Sequence, residues 1–321
     1  MKNTLTRITF LTCLFFILFS SCREKAPQNI RIGVLDGPSS ISFIQLYDNP
    51  QKIGDKKIEF VIKSDPQQIQ ALMMKNELDF AVLPTVMAAN LYNKDVKYKA
   101  VAFPVWGTLY IVTNNQNIQS LTQLHNNTIA VFGQGATPDI LLQRYIDEKK
   151  LRNVQIDYTY TGNNELAGAL LSGKVQIAVI SEPQVSNLII KNPEIRVLSK
   201  LDCEEYIFNT DIDIFAQTAF LVNTSFADDN NDIVEEVCEL YSASCNFINN
   251  EPDMAAALLV KHKIISDTET AKKSLPLCNI RYVGAFAVEK EVMRYLNIFY
   301  EFAPESIGGK LPNRNFIYQP E

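Results

Sequence analysis

Hydrophobic and polar positions alternate in short blocks along most of this chain. Residues 30–35, Ile-Arg-Ile-Gly-Val-Leu, are a brief apolar run stopped by Asp36-Gly37-Pro38, which predicts a buried strand and a turn. Ser39-Ser40 then opens a periodic stretch over 41–47, read as a helix. Residues 57–63 alternate as a half-buried strand does. Asp65-Pro66 marks the next helix, with Asp as cap, Pro at the first helical position, and Ile69, Leu72 and Met73 as the inner stripe. A strand at 78–84, a helix at 85–92 and a strand-rich segment at 98–114, interrupted at Pro104 and Gly107, complete the first block. The second block reads strand, glycine turn and helix over 127–149, then strand 154–160, helix 164–175, strand 176–183, a helix beginning over 185–190, and strand 194–200. After a strand at 218–224 the period becomes helical, at 229–249, 252–263 and 289–302. Such alternation implies α/β layers with mainly parallel sheets.

The first 29 residues follow a different rule. Met1, Lys2 and Arg7 make a short basic region, and 8–19 is almost wholly apolar. That run is shorter than the roughly 20 residues a membrane span needs, and it has the form of a secretory signal. Ser20, Ser21 and Cys22 follow, an arrangement that resembles the lipobox of bacterial lipoproteins. The resemblance implies a signal peptide over 1–21, lipidation of Cys22 and a polar tether over 22–29, which would anchor an exported chain to a bacterial membrane on its periplasmic or cell-surface side. An ordinary secreted protein cleaved nearby, or a membrane anchor, is the competing reading.

The remaining length is enough for one large domain or two modest ones with a full core. Net charge is −6 and no basic cluster stands out, so no nucleic-acid partner is expected. Of six cysteines, Cys13 lies in the signal and Cys22 takes the lipid. Cys203, Cys238, Cys245 and Cys278 lack the spacing of a zinc site, and no metal or other cofactor is expected. Cys238 and Cys245 lie seven residues apart on one predicted helix, roughly 10 Å, too far to bridge each other. The four are either buried free thiols or include one bridge to Cys203 or Cys278. The only histidines, His125 and His262, offer no nucleophile–base pair and read as surface residues.

The two alternating blocks share a grammar. Residues 71–84, ALMMKNELDFAVLP, and 169–183, ALLSGKVQIAVISEP, match faintly, as two lobes built alike would. The segment SLTQLHNNTIAVFGQGATPD (120–139) resembles the opening of the second lobe of type II periplasmic binding proteins. LLSGKVQIAVISEP (170–183) is similar to a later segment of the same proteins, although Gln123, Asn126 and Gln176 depart from the family's usual residues. The nearest group is the ABC-transporter solute-binding proteins for nitrate, sulfonates and thiamine-precursor pyrimidines. The resemblance implies an α/β fold of two lobes, each a mainly parallel sheet flanked by helices, with two crossover strands near 105–112 and 215–222 as hinge. Residues 30–106 and 219–321 would form lobe 1, and 107–218 lobe 2. It further implies a monomer that captures a sulfonate-like anion or a thiamine-precursor pyrimidine and delivers it to permease and ATPase subunits. An enzyme on the same fold is the alternative.

In open α/β sheets ligands lie beyond the carboxyl ends of the strands, so candidate residues sit in the strand-to-helix turns. Asp36, Ser39 and Ser40 follow the first strand, and Pro84 and Thr85 follow the third. Each hydroxyl serves as a helix cap or as a donor to a ligand. The turn GQGATPD (133–139) offers Gly133, Gly135 and Ala136 for close backbone approach, with Thr137 as cap and Pro138 as the first helical residue. Trp106, the only tryptophan, either stacks on a ring in the cleft or packs in the core. Glu182 either accepts from an amine or caps the helix after it. Tyr160 lies near a strand end and completes the set. No Arg or Lys stands in these turns. The tail SIGGKLP (306–312) reads as a turn.

Overall fold

In the computed structural model of the chain, residues 29–201 and 215–319 are described. The signal segment, Cys22 with most of its tether, and Cys203 lie outside them. The described chain begins with β1 (Ile30–Leu35), α1 (Pro38–Ile41), α2 (Ile44–Asp48), β2 (Lys52–Ile53), β3 (Lys56–Lys63), α3 (Pro66–Met74), β4 (Phe80–Pro84), α4 (Thr85–Asn93) and β5 (Tyr98–Trp106). It continues through β6 (Leu109–Thr113), β7 (Thr128–Val131), α5 (Thr137–Glu148), β8 (Gln155–Asp157), α6 (Asn163–Leu171), β9 (Ile177–Ser181), α7 (Gln184–Lys191) and β10 (Arg196–Lys200). The last part is β11 (Ala216–Asn223), α8 (Thr224–Asp229), α9 (Asn231–Asn250), α10 (Pro252–Lys261), α11 (Thr268–Ser274), β12 (Ile280–Gly284) and α12 (Glu289–Phe302).

Two sheets result. One has seven strands in the order β12-β5-β11-β4-β1-β3-β2, the other five in the order β10-β6-β9-β7-β8. Strands β5, β4, β1 and β3 run one way in the first, and β10, β9, β7 and β8 one way in the second. Each sheet also takes in one strand from the crossing between them, antiparallel to both neighbours: β11 between β4 and β5, and β6 between β9 and β10. The seven-stranded sheet receives β11 from Ala216 onward, ahead of the expected return at 219.

Local chemistry explains the elements. Asp65 caps α3 by accepting from the Gln67 N–H at 2.9 Å, with Pro66 behind it, and Ile69 and Met73 are buried while Leu72 is half-buried. The helix expected over 41–47 is divided, because Ser42 turns its hydroxyl onto Ser39 O (2.6 Å) and the buried Tyr241 hydroxyl (2.7 Å). Strand β8 stops at Asp157, whose carboxylate accepts from the Thr159 N–H (2.9 Å) and hydroxyl (2.6 Å), a local turn that removes Tyr158 and Tyr160 from the ladder. The long helix expected from 229 begins only at Asn231, after a break at Asn230. Pro104 does not interrupt β5, because the register against β11 slips between Ala102 and Val105 and no ladder bond is asked of its missing N–H.

One apolar core runs from beneath the seven-stranded sheet, under α3, α4 and α12, into the five-stranded one. A second fills the opposite face of the larger sheet under α2, α9, α10 and α11, and a third lies between the smaller sheet and α6 and α7. Cys238, Cys245 and Cys278 are free thiols, the last two fully buried. The SIGGKLP turn has a definite role. The Asn90 amide donates to Glu305 O (3.0 Å) and Ser306 O (3.1 Å), and that of Asn93 to Ile307 O and Lys310 O (both 2.6 Å), so the tail is pinned along α4.

Candidate functional site

The registers decide which residues meet. In the larger sheet β1, β3 and β4 all end on one edge, where Thr218 at the start of β11 lies opposite both Pro84 and Val105. In the smaller sheet β7, β8 and β9 end on one edge, where Leu109 at the start of β6 lies opposite Ser181. Only Gly107 and Thr108 separate β5 from β6, so these two edges are held against each other. The crossing is strapped on every side. The Gly107 N–H donates to Phe215 O (3.0 Å), the Glu182 N–H to Thr108 O (3.1 Å) and the Leu201 N–H to Leu109 O (2.8 Å). The Thr108 hydroxyl donates to Gln217 Oε1 and touches the Ser181 hydroxyl, both at 2.7 Å. Helix α7 packs on α11, and α12 reaches α5, so the two halves also touch away from the crossing.

Three hydroxyls on these edges are buried without a hydrogen-bond partner: Thr85, Thr137 and Thr218. Their residues are 0%, 6% and 7% exposed. A buried hydroxyl left unpaired costs about 1–3 kcal/mol, so three in one region demand an explanation. Thr85 and Thr137 open α4 and α5, whose cap positions are Pro84 and Ala136. Neither residue can offer a capping oxygen, and neither helix has a side-chain cap. Thr137 is therefore the first helical residue and Pro138 the second, not cap and first residue as the sequence suggested. Helix starts without a side-chain cap present free N–H groups and the positive end of the dipole, a setting that favours an anion. Ser39, after strand β1, is buried, while the Ser40 hydroxyl is turned back to Gly37 O (3.0 Å). Asp36 is exposed.

The glycine turn before α5 has its own scaffold. Gly133 (φ 68°) and Gly135 (φ 74°) occupy the left-handed region, which explains why glycine is required there. Asp139, 1% exposed, accepts from the Gly135 N–H (2.8 Å), the Gln143 amide (2.9 Å) and the Tyr158 hydroxyl (2.9 Å). Burial, with Asp139 beside it, pushes the Tyr158 phenol up to about 12, so it remains a donor. Gly135 and Ala136 lie exposed at the mouth of the turn.

Glu182 is 1% exposed, and its two carboxyl oxygens accept from the Ser186 N–H (3.2 Å) and the Ser186 hydroxyl (3.0 Å). Its carboxyl thus serves the first turn of α7, whose cap position is Pro183, and burial lifts it to about 7. Trp106 is 1% exposed, its indole N–H donates to Arg281 O (2.9 Å) and Phe103 O (3.2 Å), and the Arg281 guanidinium lies 4.7 Å from its ring centre. For both residues the structural alternative is the one seen. Tyr160 is half-buried against the core of the smaller sheet, and neighbouring Asn163 is locked to Ser181 by paired bonds (2.9 and 3.2 Å).

Of the sequence-predicted residues, the structure gathers Ser39, Ser40, Pro84 and Thr85 on one edge and Gly133, Gly135, Ala136, Thr137, Tyr160 and Glu182 on the other. It adds Thr108, Asp139, Ser181, Gln217 and Thr218. A polar pair, Gln217-Thr218, opening an otherwise apolar strand was the available signal for the last two. Asp139 carried none, since an acid in the first turn of a helix is ordinary.

The family model for ABC transporter, phosphonate, periplasmic substrate-binding protein matches residues 51–237. No curated protein sequence matches the chain. Among solved structures, an ABC transporter from Parabacteroides distasonis is 33% identical, covers 91% of this chain and 99% of its own, and superposes with a TM-score of 0.78. The periplasmic aliphatic sulphonate binding protein SsuA from Escherichia coli is 18% identical (92% and 93% covered, TM-score 0.70). The alkanesulfonate-binding protein SsuA from Xanthomonas axonopodis pv. citri, bound to MOPS, is 15% identical (92% and 98% covered, TM-score 0.69). These last two share the fold. The family's phosphonate lies outside the ligand classes expected from sequence, although it too is an oxyanion. With two sheets joined edge to edge by a short crossing, the chain belongs to the periplasmic substrate-binding proteins of ABC transporters, and it is the extracytoplasmic component that presents substrate to the transporter.

Proposed function

We propose that this protein captures a small phosphonate- or sulfonate-type oxyanion between two lobes, residues 30–106 with 216–321 and residues 107–215, that close about the crossing at Gly107-Thr108. The observation that carries the reading is the set of buried, unpartnered hydroxyls on Thr85, Thr137 and Thr218, two of them opening helices without side-chain caps. A tetrahedral oxyanion supplies acceptors for all three hydroxyls and for the free N–H groups at once. The sulphonate and phosphonate named for relatives point the same way. A thiamine-precursor pyrimidine fits less well, because Glu182, the acceptor it would use, already serves Ser186. The role is binding without chemical change, by a monomer held to the membrane through lipidated Cys22, with permease and ATPase subunits as partners.

A thermal-shift panel of alkylphosphonates, alkanesulfonates, nitrate, thiamine precursors and amino acids tests the ligand. Ligand at 100 times its dissociation constant adds about 2.7 kcal/mol to stability. The reading expects that shift from a phosphonate or sulfonate, with a smaller scattering radius on saturation. A shift from the pyrimidines alone would refute it. Cys22→Ala should move the protein from the membrane fraction to the soluble one, and retention would count against lipidation.

A further inference from the structure

At the edge of the smaller sheet farthest from the proposed cleft, the segments leading into β7 and β8 meet the end of α5 and form an open surface pocket of about 490 Å³. It is lined by His125, Asn126, Lys149, Lys150, Arg152 and Asn153. Three cationic side chains and no acid therefore surround it, in a chain of net charge −6. The sequence expectation of no basic cluster fails here: Lys149, Lys150 and Arg152 stand within four residues of one another, and folding brings His125 and Asn126 to them.

The walls are tied together. The Arg152 N–H donates to His125 Nδ1 (2.7 Å), the Asn126 N–H to Arg152 O (3.0 Å) and the Asn153 amide to Asn126 Oδ1 (2.9 Å). Because Nδ1 accepts, the neutral imidazole carries its proton on Nε2 and is a donor there. Asn126 (φ 60°), Lys150 (φ 51°) and Asn153 (φ 56°) all hold left-handed backbone, which for lysine is uncommon and persists only where surrounding structure enforces it. Among the described residues neither the Lys150 ammonium nor the Arg152 guanidinium has a hydrogen bond or ion pair. The nearby Glu148 is engaged by Arg144 at 2.7 Å.

We propose that this pocket is a second anion site, distinct from the cleft, that takes a phosphate-type oxyanion. The fork of Arg152 and the Lys150 ammonium supply charge-assisted donors, and His125 and the asparagines supply directed neutral ones. The source of the phosphate is either a free anion or a lipid headgroup, and the test separates them.

The chain has two histidines, so the imidazole resonances of the full chain give a probe at His125 and an internal control at His262. Inorganic phosphate should move the His125 signal saturably and leave His262 in place, while chloride at equal ionic strength should move neither. The Lys150→Ala, Arg152→Gln double variant should weaken that response at least about tenfold. Thr137→Val, which alters the cleft, should leave it intact. In a second arm the chain is sedimented with phosphatidylcholine vesicles with and without phosphatidylglycerol. Binding that requires phosphatidylglycerol and is lost in the double variant, without a response to free phosphate, assigns the site to a headgroup. No response in either arm, an equal response to chloride, or a response unchanged in the double variant overturns the proposal.

Discussion

The two edges of the proposed cleft solve one problem differently. Each puts a threonine at the first position of a helix without a side-chain cap and leaves its hydroxyl buried and unpaired. In the larger sheet strand β4 runs straight into α4, Pro84 to Thr85, with no intervening loop. In the smaller sheet five residues, 132–136, intervene, and their shape depends on two left-handed glycines and on the buried Asp139. That same edge carries Glu182, a buried carboxyl whose oxygens accept only from Ser186 among the described residues. The first edge is fixed by covalent geometry, while the second is held by polar groups that substitution or pH can undo. Fixed geometry suits a reference surface, and a conditionally held edge is the place to look for sensitivity.

The largest expected effect comes from Glu182. Its carboxyl is lifted from 4.5 to about 7 by burial, so between those values the folded chain keeps a proton that the unfolded chain has released. Stability therefore falls as pH rises through that window, by up to about 3 kcal/mol. Glu182→Gln should remove this slope, so that the variant gains on the parent between pH 5 and pH 7.5 in paired thermal melts; a constant difference would show the carboxyl is not the cause. Next, Asp139→Ala should cost about 2–3 kcal/mol in urea melts, because three donors lose their acceptor. Pro84→Ala, the corresponding disturbance of the other edge, should cost under about 1 kcal/mol. Equal losses would erase the contrast drawn between the edges. A last, similarly small effect concerns the far end of α4. Gly308 holds φ 80°, and an added Cβ would sit 3.0 Å from the Asn93 Cβ. Gly308→Ala should cost about 1 kcal/mol while leaving ligand affinity unchanged. A loss of affinity would mean the α4 start is less rigid than its direct junction suggests.

Much of the fold was legible because period survives folding. Asp65-Pro66 capped its helix as read, and α12 spans 289–302 as expected. Two misses share a cause: a side chain turned onto nearby backbone and overrode the apolar pattern, as Asp157 did for β8 and Ser42 for the split helix. Strand β12 and helix α11 went unread, being short and weakly periodic. For the candidate site, the strand-to-helix turns named from sequence include Thr85 and Thr137, whose buried hydroxyls carry the proposal. The state of each residue was not legible, since whether Glu182 or Trp106 is spent on its own surroundings depends on Ser186 and Arg281. Thr218 came into view only through its register opposite Pro84.

The most direct test of the central claim is calorimetric titration of methylphosphonate and methanesulfonate into the parent chain and into Thr137→Val, with thermal melts of both unliganded proteins. Valine removes the hydroxyl at nearly constant shape. The account predicts at least about tenfold weaker binding, with unliganded stability unchanged or raised, because an unpaired buried hydroxyl has been removed. Unchanged affinity, or a variant made less stable without ligand, would contradict it.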